Sequence, residues 1–190
     1  MDIMKLIEAK LEDPEVMEKL SNSLNTDSDK VEKASKLSIP AMIKAIERNA
    51  KSEQGAKSLN SALDDHQDDD VDDVRKYLEN VNKEEGDKAL SHMFGSKKTR
   101  VQTNIARETG LNESQTSDIM KQLAPLLLGL LGQKKKKDNI GLSGISGLLG
   151  SLLSGSDSGI MATVTNLLDK DGDGSMIDDV SDIIGGFFNK

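Results

Sequence analysis

Apolar residues recur at three- and four-residue intervals along almost the whole chain, as in Ile3, Leu6, Ile7 and Leu11, or Ile39, Met42, Ile43 and Ile46. That spacing places them on one face of a helix and predicts amphipathic helices, each with a stripe buried against a common core. Asp13-Pro14 reads as a helix start, an aspartate N-cap followed by proline at the first helical position, where the missing N–H costs nothing. The acidic stretch DDHQDDDVDD, residues 64–73, is too charged to bury and predicts a loop entering a helix near Val71. Crowded aspartates suit a helix N-terminus, where the peptide dipoles offset their charge. The expected fold class is all-α.

Two stretches repeat one another weakly. LNTDSDKVEKASKLSIPAMIKAI begins at Leu24 and LNESQTSDIMKQLAPLLLGLL at Leu111. Each opens on Leu-Asn and a polar cap, runs through one helical stretch to a proline, and ends in an apolar run. Asn25 and Asn112 are the expected N-caps, and Pro40 and Pro125 are expected to kink or restart their helices. Two copies fall short of the roughly three repeats a solenoid needs. The expectation is a duplicated helical unit, about residues 1–64 and 70–133, within a helical domain spanning 1–133.

Lys134 to Lys137 complement the negative end of the preceding helix and are expected to open a solvated linker over 134–141. Beyond it, residues 142–190 form a Gly/Leu-rich helical segment. Glycines at 141, 144, 147 and 150 interleave with Leu142, Ile145, Leu148, Leu149, Leu152 and Leu153. Each internal glycine costs about 1 kcal/mol relative to alanine, so this helix needs something to lie against. Packing on the rest of the chain is the default; a partner surface or an interfacial membrane contact through 134–155 is the alternative.

Composition sharpens this picture at three points. Aromatic residues are only 2 % of the 190, so the core is built from aliphatic side chains and methionine, which favours helices over strands. Cysteine is absent, which removes disulfides, thiolate zinc sites and cysteine nucleophiles. The net charge of −8 is divided into −8 over residues 1–95, +6 over 96–137 and −6 over 138–190. A basic middle between acidic ends either attracts a polyanion or satisfies the chain's own acids. The first residues, MDIMKLIEAKLEDPE, mix acids and bases at helical spacing and do not read as a secretory signal. The longest apolar run, Leu123 to Leu131, is far short of the roughly 20 residues that cross a bilayer. A cytoplasmic protein is expected.

One motif dictates a specific chemistry. In DKDGDGS, Asp169, Asp171 and Asp173 alternate along the chain and Gly174 permits a sharp turn, the pattern by which a short loop wraps oxygens around Ca2+. Ser175 offers its carbonyl and Asp178, at the tenth position, closes a shortened loop, with Asp179 and Asp182 as substitutes. An EF-hand loop carries a bidentate glutamate at its twelfth position, where this chain has Val180. The metal candidates are therefore Asp169, Asp171, Asp173, Ser175 and Asp178, in a structural, EF-hand-like aspartate loop whose affinity is weak.

Other constellations are less specific. Ala106, Thr109-Gly110-Leu111 and the amphipathic run after them have the rhythm of a helix-turn-helix within the basic segment 97–123, with Lys97, Lys98, Arg100 and Arg107 as candidate contacts to nucleic acid. The second helix, however, carries Glu113 and Asp118 against Lys121 alone, a poor surface for a groove, and core packing is the stronger reading. His66 lies among carboxylates, where a histidine–carboxylate metal site competes with a solvated loop. His92 belongs to a helix end. Neither histidine has a nucleophile pattern beside it, and no phosphate-binding glycine loop follows a strand, so catalysis is not expected.

KALSHMFGSKKTRVQTNIARETGLNESQTSDIMKQLAPLLLGLLGQ, residues 88–133, resembles the bacterial family called domain of unknown function 937, in which a His-x-Phe-Gly-like turn, a Thr-Gly-Leu turn and a Leu-Ala-Pro-Leu-Leu-Leu-Gly-Leu-Leu-Gly helix recur. The end LLDKDGDGSMIDDV is similar to that family's terminal aspartate run. Ser91 stands where the family more often has glycine. The resemblance implies an all-helical bacterial protein and brings no activity with it. The functional expectation is a non-enzymatic binding or scaffolding protein, its partner a protein, its tail ordered by Ca2+. Nucleic-acid binding through 97–123 and membrane-surface association through 134–155 are the alternatives.

Overall fold

The computed structural model describes Ile7 and residues 9–168, whose regular elements are all helices, with no strand among the described residues. Ile7 and residues 9–11 are helical. Then come α1 (Pro14–Leu24), α2 (Ser28–Asn49), α3 (Glu53–Asp65), α4 (Val74–Asn80), α5 (Lys83–Phe94), α6 (Lys98–Thr109), α7 (Glu113–Lys137), α8 (Ile145–Ser154) and α9 (Ser158–Leu168). Single 3-10 turns, Gly95–Lys97 and Leu142–Gly144, precede α6 and α8. No described helix is long and apolar enough to cross a membrane.

Local chemistry sets the starts. The Asp13 carboxylate accepts from the Glu15 N–H ahead of Pro14, Asp73 caps α4, and Asn82 accepts from two N–H groups of α5. Asn112 and Gln115 form a reciprocal capping box at α7. The expected caps thus hold at Asp13 and Asn112. They fail at Asn25, which has φ 49° and ψ 55° and ends α1; the N-cap position of α2 is Asp27. Asparagine tolerates this left-handed backbone better than most side chains, which makes it a helix terminator here. Helix α4 likewise starts three residues later than expected, because Val71 is wholly buried in the preceding loop.

Long α2 and α7 form the centre and pack on each other, with α5, α6, α3 and α1 around them. Neither proline restarts its helix. Pro40 and Pro125 both lie inside unbroken helices, each buried. Residues Gln122 to Gly132 of α7 are buried without interruption, so this stretch is enclosed on all sides. Phe94, Leu63, Leu90, Ile119, Met120 and Leu123 are among the most completely buried side chains of an otherwise aliphatic core.

The α1–α2 and α6–α7 pairs share one layout. Each is a short helix ended by a left-handed residue, Asn25 (φ 49°) or Gly110 (φ 70°), with the long helix beginning three residues later. At the interval that separates Pro40 from Pro125, every buried position of α1 coincides with a buried position of α6, and every buried position of α2 with one of α7. Asn25 then falls on Gly110, which shifts the register by two residues from the Asn25–Asn112 pairing expected from the letters.

Lys134 to Lys137 are helical and complete the last turn of α7, where the exposed carbonyl ends attract cations. The Gly/Leu segment folds as two short helices. Helix α8 buries Ile145, Leu148, Leu149 and Leu152 and packs on α2. Helix α9 buries Val164, Leu167 and Leu168 and packs on α2 and α6. Self-packing is thus what these glycine-interrupted helices do, and their apolar faces join the same core.

Candidate functional site

The calcium-loop residues Asp169, Asp171, Asp173, Ser175 and Asp178 lie outside the described residues. What leads into them is fixed. Helix α9 is described as far as Leu168, and the Asn104 amide of α6 donates to the Leu167 carbonyl at 3.2 Å. No group of three or more potential ligands among the described residues is placed to hold a metal.

A cluster of titratable side chains surrounds His66, the C-cap of α3. Its Nδ1 lies 2.8 Å from Asp69 Oδ2 and its Nε2 3.6 Å from Glu85 Oε1. Asp69 comes from the acidic loop and Glu85 from the first turn of α5, where Asn82 accepts from its N–H. Tyr77 of α4 completes the group. Burial, followed by the neighbouring charges of Asp69 and Glu85, pushes its hydroxyl well above the ordinary tyrosine range. These residues line an acidic cleft of about 360 Å³ that also includes Asp65, Asp70 and Lys76. The arrangement holds His66 by hydrogen bonding, one ring nitrogen on a carboxylate, and does not gather ligands around a cation. Its contributors could not be paired from the letters, since Tyr77 and Glu85 arrive from separate helices. The one available signal was that Tyr77 is the chain's single tyrosine.

The basic segment is largely matched from within. Lys98 lies 2.9 Å from Asp87 and donates to Ser91, while Lys121 reaches the other Asp87 oxygen at 3.4 Å. Hydrogen bonding from Lys98 holds the Asp87 carboxyl below the usual range. Lys97 is buried, and Arg100 and Arg107 are exposed. The helix-turn-helix rhythm is real as α6, Gly110 and α7, but α7 occupies the core where a recognition helix would have to be free for a groove.

At the end of α7, Lys135 pairs with Asp64 and Lys136 with Asp68. Gln133 donates to the Asp69 carbonyl at 2.8 Å, and Lys134 pairs with Asp138. The lysine run therefore straps the acidic loop onto the bundle. His92, on α5, is exposed, and its carbonyl accepts from Asn49 at 3.1 Å.

No curated protein and no solved structure matches the chain. A family does, over residues 6–134, which takes in α1 to α6 and α7 as far as its lysine run, and stops short of α8, α9 and the aspartate motif. With two thirds of its length matched, and with the helical architecture in place over that span, the chain belongs to the family described as bacterial protein of unknown function (DUF937).

Proposed function

We propose that the protein is a non-enzymatic binding or scaffolding module whose carboxy-terminal segment is organised by a structural Ca2+ ion on Asp169, Asp171, Asp173, Ser175 and Asp178. The observation that carries this reading is the anchoring of α9. Its buried Val164, Leu167 and Leu168, and the Asn104 bond to the Leu167 carbonyl, give the aspartate motif a fixed starting point on the body. Alternating carboxylates that begin at a fixed point need to close only one end around a cation, which lowers the ordering cost of binding.

The non-enzymatic part is supported by how the lysines are engaged: Lys98, Lys121, Lys135 and Lys136 are each paired with an acid. A duplicated origin for α1–α2 and α6–α7 is supported by the buried positions that match once Pro40 is set on Pro125. A cytoplasmic setting and a protein partner belong to the same reading. Calorimetric titration of Ca2+ into the full chain tests the ion site. Saturable uptake with a Kd on the order of 10⁻⁴–10⁻³ M, the range of weak calcium modules, is expected, and Asp171→Ala with Asp173→Ala should abolish it. Equal heats from the two proteins would overturn the site.

A further inference from the structure

A cavity of about 250 Å³ opens between the amino-terminal helical turn, α1, α2 and the start of α9. Its walls are mainly apolar, from Ile7, Leu11, Met17, Ile39, Pro40 and Ile160. Scaled from a 150 Å³ apolar cavity that accepts benzene, such a space holds roughly ten carbon-sized groups.

Two polar features of α2 stand at this wall. Ser35 is 2 % exposed and its Oγ has no hydrogen-bond partner. Pro40 has no N–H to offer the Lys36 carbonyl four residues earlier, and both residues line the cavity. In the matching helix α7, Pro125 frees the Lys121 carbonyl in the same way, but there the backbone of α5 closes over it: a Cβ at Gly86 would overlap the Lys121 carbonyl. Met120 stands where α2 has Ser35, again at the Pro40–Pro125 interval. One helix thus has a sealed, apolar wall where the other has a hollow with an unpartnered serine hydroxyl and a carbonyl that lacks its i+4 donor.

The rim selects the charge. Glu12, Glu32 and Asp157 face a single base, Lys36, whose Nζ is 3.2 Å from Glu12 and 2.6 Å from Glu32. Asp157 also caps α9, accepting from Gly159 and Ile160. Three carboxylates to one ammonium favour a positively charged guest, and the idle serine hydroxyl and backbone carbonyl favour one that brings N–H donors.

We propose that this cavity is a binding site for a small amphiphilic cation, its apolar body packed on Ile7, Leu11, Ile39 and Ile160 and its ammonium head at Ser35, the Lys36 carbonyl and the acidic rim. The test uses n-octylammonium and octanoate as probes of the full chain, followed by methyl NMR. Saturable shifts confined to Ile7, Met17, Ile39 and Ile160 are expected with n-octylammonium, with octanoate at least tenfold weaker. Ser35→Met, which imports the α7 residue, should remove binding while leaving the helical circular dichroism unchanged. Glu12→Gln with Glu32→Gln, on the surface and harmless to folding, should narrow the amine-over-carboxylate preference at least threefold. Equal binding of octanoate, retention of full affinity by both variants, or the absence of saturable shifts would overturn the site.

Discussion

Gly86 of α5 lies directly against the Lys121 carbonyl of α7, so close that a methyl group at the glycine would overlap that oxygen. The carbonyl is available for this approach because Pro125, four residues on, gives it no helical N–H. A helix-breaking residue in one element and the smallest residue in another therefore form a single device. It lets α5 and α7 meet backbone to backbone at the most extensive helix contact in the described body.

Gly86→Ala should consequently destabilise the fold. Alanine improves helix propensity by about 1 kcal/mol, but the blocking atoms belong to backbone and cannot turn aside, and overpacking costs about 1–3 kcal/mol. A net loss of about 1 kcal/mol, and at most about 2, is expected, read as a lower urea midpoint with an unchanged slope. A midpoint equal to or above that of the wild type would show that the two helices do not touch here.

Tyr77 provides a spectroscopic reporter, since the chain has one tyrosine and no tryptophan. Its hydroxyl is held in the neutral form by burial and by Asp69 and Glu85. The raised pKa means that the tyrosine's contribution to stability is complete below the unfolded value of about 10 and declines as the pH climbs past it. Phenolate absorbance of the native chain should appear only well above that pH, and in denaturant it should return to the ordinary range. A native titration centred near 10 would place Tyr77 in solvent.

Lys135 and Lys136 should respond differently to truncation. The Lys135 side chain is 11 % exposed and pairs with Asp64, whereas Lys136 is 55 % exposed and pairs with Asp68. Lys135→Ala loses stem packing as well as an ion pair and should cost about 1 kcal/mol. Lys136→Ala should stay below about 0.5 kcal/mol, and that small effect should fade in high salt. Urea denaturation of both variants at two ionic strengths measures the difference; equal losses would remove the strap from Lys135.

The helices were legible wherever a periodic stripe coincided with a local stop or start, as at Asp13-Pro14, Gly110 and Asn112. Legibility ended where a distant element decided the outcome. Lys134 to Lys137 look like a solvated break because four like charges repel, yet Asp64 and Asp68 arrive from another part of the chain and hold them in a helical turn. Pro40 and Pro125 are helix breakers by local rules, and burial between neighbouring helices keeps both within continuous helices. The His66–Tyr77–Glu85 grouping and the Ser35 cavity depend on tertiary assembly and have no signature in spacing. The aspartate motif is the reverse case, plain in the letters and beyond the described residues.

The lysine strap also shapes how the molecule is sensed from a distance. With Lys98, Lys121, Lys135 and Lys136 each set beside a carboxylate, the basic stretch projects little potential past its own surface, and the uncancelled acids dominate the far field. Within about one Debye length of the surface, an approaching polyanion meets net repulsion and a cationic visitor net attraction.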